Sequence, residues 1–283
     1  MADRLFLRLA DDPLYAPETT VPAGTMQDLA VPRALAPYVA NAMSYQDAIA
    51  PGLEVTERVL PDGALRLIFD FQGDRVTARV AGASTRAVLL THRGEMRGLS
   101  VTLRPGASLA LLGLAAHELT DADHAWDDVA PLAVRGIGVR LLEARSPHAR
   151  MAVVFQALQA RLPTDGPDSS ERVAHAMRVL RHSRAVRPVT DAARALGVGE
   201  RRLQQLFREH TGLAPKAWHG LARFHECLRL LRDRTSVSWA ELAVEAGFHD
   251  QAHLSNTFRA ICACTPGQFL AERAASGFSK TAS

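Results

Sequence analysis

The residues best able to do chemistry stand close together late in the chain. The segment AGFHDQAHL places His249 and His253 four apart, the spacing at which two imidazoles share one face of a helix. Cys262 and Cys264 follow shortly after. Imidazole and thiolate are the usual ligands of tetrahedral zinc, so a metal site is the first chemistry to weigh. Structural zinc sites favour cysteine pairs separated by typically two to four residues, however, and these two have a single alanine between them. The histidine pair then depends on whether both residues lie on one helix.

Other candidates are weaker. Cys227, Cys262 and Cys264 all lie late, which leaves no cysteine nucleophile upstream, and the scattered Asp, His and Ser form no nucleophile–base constellation. Arg66 and Asp70 fall on one face of a strand, where they could line a pocket; an ordinary surface ion pair is the simpler reading. Gly136-Ile-Gly138 lacks the third glycine and the preceding strand of a nucleotide fingerprint. Neither an enzyme nor a cofactor is expected.

At 283 residues the chain can hold two domains, each with its own core. With 47% hydrophobic and 22% charged residues it reads as a soluble globular protein. Asp3, Asp11 and Asp12 interrupt any apolar leader, and Leu109 to Ala116 is far short of the ~20 residues that cross a bilayer. An odd number of cysteines does not make a disulfide framework. The expected location is the cytoplasm, without membrane contact.

Charge divides the chain more sharply than composition does. Residues 1–169 sum to −4 and residues 170–270 to +6, within a net charge of +3; seven of the eleven histidines join the basic part. A basic second part is a candidate for a polyanionic partner, although a solvated basic face would look the same.

The break falls in LPTDGPDSS, Leu162 to Ser170, where proline, glycine and turn formers cluster. Upstream, Leu53 to Gly82 reads as strands. Leu65, Leu67, Phe69 and Phe71 alternate with Arg66, Ile68 and Asp70, and Pro61-Asp-Gly63 looks like the turn of a hairpin before them. Thr85–Leu90 and Gly98–Leu103 offer another strand pair. Helical patterns follow at Ala107–Leu112, Gly138–Arg145 and Ala149–Leu162. The first domain is therefore expected to be α+β. Downstream the pattern is all helical, with capping boxes at Asp168-Ser-Ser-Glu171 and Ser238-Trp-Ala-Glu241. Trp218, Leu221, Cys227, Leu228 and Leu231 mark the buried face of a long helix after Pro215, and Cys227 is a small core residue there.

An internal repeat organises this part. AARALGVGERRLQQLFREHTGLAP (192–215) aligns with LAVEAGFHDQAHLSNTFRAICACTP (242–266): Ala193 with Ala243, Gly197 with Gly247, Leu203 with Leu254, Phe207 with Phe258, Pro215 with Pro266. The second copy has one extra residue between its Gly and its Leu. Each copy is a short helix, a glycine turn and a second helix with Leu and Phe four apart on its buried face, which is helix-turn-helix logic.

With these residues the chain resembles the AraC/XylS family of bacterial transcription regulators. The second copy carries the more specific match, Gly247-Phe248, Asp250-Gln251, His253-Leu254, Phe258-Arg259 and Thr265-Pro266. A glycine turn puts His249 ahead of the second helix, so the two imidazoles no longer share a face and the zinc reading fails. The segments LPDGALRLIFDF, RPGAS and GLAAHELTD are similar to an amino-terminal domain found ahead of this module in some family members.

The resemblance implies two domains, an N-terminal α+β sensory-type domain and a C-terminal all-α domain with two helix-turn-helix units. The expected boundaries are 1–162 for the effector-sensing or dimerisation domain, 163–169 for a linker, 170–272 for DNA binding and 273–283 for a disordered tail. Implied partners are double-stranded DNA and RNA polymerase, with room for a small-molecule effector and a homodimer. Arg201, Gln204, Gln205, Gln251, Ala252, His253 and Asn256 are implied to face the major groove, on a long helix-joined pair of recognition helices ~34 Å apart. Arg202 would meet phosphate. Arg208, also placed at the interface, and Glu200 are balanced between DNA and a solvated face.

The chain departs from the family pattern in two ways. Ala263 stands where the first copy has Gly212, at a left-handed helix end, which costs about 1 kcal/mol if the conformation is kept. Gln205 and Asn256 replace arginines common in the family and suit adenine better than guanine.

Overall fold

The computed structural model describes residues 25–131, 136–163, 168–232 and 238–275. The period-two pattern of 65–72 forms the strand β4, Leu65–Gln72, with all four of its alternating apolar side chains buried. Numbered in chain order, the other strands are β1 (Thr25–Asp28), β2 (Val39–Ala48), β3 (Val55–Val59), β5 (Arg75–Ala81), β6 (Val88–His92), β7 (Glu95–Leu103) and β8 (Asp123–Ala125). A six-stranded sheet runs β1-β2-β7-β4-β5-β8, and every pairing in it is antiparallel.

One face of this sheet carries the first core. Against it pack α1 (Ala107–Leu112), α2 (Trp126–Val129), α3 (Ile137–Glu143) and α4 (Pro147–Gln159) through Leu111, Trp126, Ile137, Leu141, Val154 and Leu158. Phe69 and Trp126 meet at 5.8 Å between ring centroids. Burying a side chain of this size stabilises by roughly 1.5–3 kcal/mol. The expected α+β first domain is thus present, strands first and helices after.

Three local expectations are corrected. Pro61–Gly63 is not a hairpin turn: β3 before it pairs with β6 in a separate two-stranded sheet, while β4 after it joins the large sheet. The short turn of the region is Gly73-Asp74, between the paired ends Gln72 and Arg75 of β4 and β5. Nor do 85–90 and 98–103 pair with each other, since β6 takes β3 and β7 takes β2 and β4. Finally, Arg66 does not bridge to Asp70. Arg66 grips Asp62 instead, and Asp70 accepts from the Tyr45 hydroxyl and pairs with Arg79 at 3.3 Å.

The second part is all helical: α5 (Asp168–His182), α6 (Pro188–Ala195), α7 (Glu200–Thr211), α8 (Pro215–Arg232), α9 (Trp239–Glu245), α10 (Gln251–Cys262) and α11 (Pro266–Ala275). Ser238 caps α9 as expected, accepting the Glu241 N–H at 3.4 Å. The other expected capping box, at Asp168, rests on side chains outside the described residues, and 164–167 of the expected linker and 276–283 of the expected tail lie outside them too. Among the described residues no helix is long and apolar enough to cross a membrane.

The two parts share a core. Leu60 and Ala83 of the first part belong to the same buried cluster as Trp218, Leu221 and Phe224 of the second. The Pro61 carbonyl lies 2.6 Å from His225 Nε2. Gly63, at φ +71°, sits so close to Leu213 that a Cβ would come within 3.1 Å of its Cδ1. The segment that looked like a turn is the plug between the halves.

Candidate nucleic-acid interface

Both repeats fold into the same unit. The first helix of each, α6 or α9, ends in a glycine with positive φ, +66° at Gly197 and +82° at Gly247. Past each glycine the chain turns back on the helix. Val198 N–H donates to Ala193 O at 3.0 Å and Phe248 N–H to Ala243 O at 2.8 Å, while Gly197 and Gly247 donate to Arg194 and Val244 at 3.0 Å each. This paired pattern satisfies the orphan carbonyls of a helix end and requires the left-handed residue that glycine supplies. Ala193 and Ala243 are buried beneath it and let the helices approach.

The extra residue of the second copy lies in the turn. Gly199 precedes α7 with no side-chain cap, and Glu200 in the first turn complements the helix dipole instead. In the longer turn Asp250 caps α10, accepting the His253 N–H at 2.7 Å. That bond holds the Asp250 carboxyl below the usual range. His249 therefore precedes the helix, as expected. Its side chain is 88% exposed, while Cys262 and Cys264 are buried. The four candidate zinc ligands do not face one another.

On α7 and α10 the inward residues are Leu203, Phe207, Leu254 and Phe258, all fully buried. Helix α8 lies between the units and packs on both. Phe207 meets Trp218 at 6.5 Å and Phe258 meets Phe224 at 5.0 Å. The outward residues are Arg201, Arg202, Gln204, Gln205 and Arg208 on α7, and Gln251, Ala252, His253 and Asn256 on α10, every one exposed. Glu200 is exposed as well, its carboxylate taken by the Thr190 hydroxyl at 2.6 Å. Two of the amides have an arginine beside them: Arg202 donates to Gln205 at 3.1 Å and Arg259 to Asn256 at 3.4 Å.

Arg223 lies on α8, and no sequence motif marks a role for it. The structure gives it one. Half-buried, it donates from Nη1 to the Gly247 carbonyl at 3.0 Å and lays its guanidinium 5.1 Å from the Phe248 ring centre. It ties α8 to the turn of the second unit. Partial desolvation, and then the charge of Arg223, hold the His253 imidazole below its ordinary pKa. Its Nδ1 accepts from the His249 N–H at 3.5 Å, which places the ring proton on Nε2.

Comparison with known proteins agrees with this geometry. Residues 192–272 match the family described as a helix-turn-helix domain, and residues 27–125 a domain of unknown function (DUF6597). The HTH-type transcriptional regulator GlxA of Rhizobium meliloti is 38% identical over 78 residues, 28% of this chain and 24% of that protein. The regulator ExsA of Pseudomonas aeruginosa is 30% identical over 80 residues, 28% of either chain. The chain thus matches about a quarter of the length of these relatives. Among solved structures it is similar to an AraC-type regulator from Chromobacterium violaceum (25% identity, 41% of this chain and 98% of that one, TM-score 0.33). It is also similar to ToxT from Vibrio cholerae (11% identity, 82% and 97%, TM-score 0.42). Residues 192–272 thus hold a helix-turn-helix domain of AraC type, similar to those of the transcriptional regulators GlxA and ExsA.

Proposed function

We propose that the protein is a sequence-specific transcription regulator that reads two adjacent major-groove segments of double-stranded DNA, one with α7 and one with α10. The observation that carries this reading is the pair of repeat-related helices, each with a buried Leu–Phe face and an exposed polar face in the basic part of the chain. In this reading Arg201, Gln204, Gln205, Gln251, Ala252, His253 and Asn256 meet base edges. Arg202 and Arg208 meet phosphate. First-turn residues of a recognition helix reach the bases, and backbone contacts set affinity and register. The His253 Nε2–H would donate to an acceptor such as a guanine N7 or thymine O4. The first domain would modulate this binding through an effector, a second copy or RNA polymerase, and no catalysis is proposed.

The test is a binding-site selection with the full chain, because Leu60 and Ala83 belong to the second core. The selected duplex and a scrambled one are then titrated at two salt concentrations. A preference of ~10³ or more for the selected site is expected. Equal affinity for both, with steep salt dependence, would replace this reading with a non-specific architectural protein.

A further inference from the structure

We infer that the first domain is a two-point brace that fixes the relative aim of the two recognition helices, and so sets the spacing between the DNA segments they read. This rests on the DNA-reading role proposed above. The repeat alignment carries Phe207 onto Phe258 and Pro215 onto Pro266, and the same offset carries His210 onto Ile261 and Gly212 onto Ala263. The His210 carbonyl, in the last turn of α7, accepts the backbone N–H of Gly106 at 2.8 Å. The Ile261 carbonyl, in the last turn of α10, accepts the backbone N–H of Ala87 at 2.6 Å. The same carbonyl of each repeat is held by a different segment of the first domain.

A side chain reinforces each grip. Thr120 Oγ1 donates to the Gly212 carbonyl at 3.0 Å, one residue beyond α7. The Arg58 guanidinium donates to the Cys262 carbonyl, the last residue of α10. A helix end leaves such carbonyls without internal partners and carries partial negative charge, so N–H donors and a guanidinium suit both. The two grips come from one stretch of chain, residues 58–120. Gly106 caps α1 and Thr120 follows it by eight residues, while Arg58 lies in β3 opposite Leu89 of β6, with Ala87 just ahead of β6. Leu60 and Pro61–Gly63 join the two by packing into the shared core.

The grips sit at the C-terminal ends, whereas the residues proposed to meet bases lie toward the N-terminal halves of α7 and α10 and stay exposed. The brace is therefore compatible with bound DNA. Each helix has 12 residues, a lever of ~18 Å, so holding its base fixes where its tip points. Inserting one base pair moves a segment by ~3.4 Å and rotates it by ~35°, which a braced pair cannot follow.

Arg58 and Thr120 are positioning residues in this scheme, and spacing preference is the readout that a loss of overall stability would not mimic. The two segments of the selected site are re-spaced by one base pair less, one more and two more, and titrated with the full-length chain, Arg58→Ala, Arg58→Lys and Thr120→Val. The wild-type chain is expected to lose roughly 30-fold in affinity for each altered spacing. The variants should bind the original and re-spaced duplexes within about threefold, while their affinity for one segment alone stays within about twofold. Should Arg58→Ala fail to fold, Arg58→Lys and Thr120→Val decide. Folded variants that keep the wild-type preference, or a wild-type chain indifferent to spacing, would overturn the brace and leave the DNA-reading role standing. A wild-type chain that selects no site would overturn that role as well.

Discussion

Gly212 and Ala263 occupy equivalent places at the ends of α7 and α10 and hold the same left-handed backbone, with φ of +80° and +58°. Their surroundings differ. A Cβ on Gly212 would fall 2.4 Å from Thr120 Oγ1 and 3.0 Å from the Ala116 carbonyl, whereas Ala263 is exposed. Glycine is required at the first by both conformation and space, whereas the second, which alanine occupies, favours it by conformation alone. Gly212→Ala should therefore lower the stability of the full chain by about 2 kcal/mol or more, through strain and a clash with backbone. Ala263→Gly should raise it by about 0.5–1 kcal/mol. Denaturant unfolding of the two variants checks the contrast, and equal and opposite shifts would contradict it.

Arg223 acts through the turn of the second unit. Replacing it with Ala or Lys removes the Nη1 hydrogen bond to the Gly247 carbonyl and the contact with Phe248, a loss of about 1.5–3 kcal/mol for a half-buried charged hydrogen bond. Affinity for the DNA segment read by α10 should fall, and that for the α7 segment should hold. Titration of duplexes carrying one segment each separates the two.

The protein should lose stability as the pH falls below about 6.5, the ordinary histidine value. Burial, with Arg223 adding to it at His219, holds both His210 and His219 below that value, and His219 Nδ1 lies 2.8 Å from the Leu180 carbonyl. The unfolded chain therefore takes up protons first. The stability is complete above about 6.5 and is lost through the window down to the folded values, by up to about 1.4 kcal/mol per pH unit for each proton. The carboxyls of Asp62 and Glu226 are held below the usual carboxylate range and act at lower pH. His219→Gln should flatten the dependence of the unfolding midpoint between pH 5 and 7.

Base preference follows from the amides. Gln205 and Asn256 should each select adenine, and Asn256→Arg should move the preference at its position to guanine by roughly 1–3 kcal/mol. Invariant guanines opposite both residues in the wild-type selection would refute this.

The C-terminal half was largely legible from sequence because its fold is written locally. Gly197 and Gly247 announce their turns, and Leu203, Phe207, Leu254 and Phe258 announce their buried faces. The first domain was less so. Strand β2 went unread because its buried positions are small, Ala42 and Ser44, so no period-two contrast appears. The mispaired strands have a related cause, since neighbours along the chain, β6 and β7, enter different sheets. Partners were missed where they are backbone: nothing in residue type marks the His210 and Ile261 carbonyls as gripped, and Arg223 reads as one more surface arginine until Gly247 is placed beside it.

The shared core also constrains how the chain can be made. Leu60 and Ala83 precede in the chain the helical part whose buried cluster they join. A chain whose synthesis stops before that part would leave an apolar plug at Leu60–Gly63 uncovered. Such a product would be open to chaperones and proteases, so the shared core makes the second part the one that closes the first.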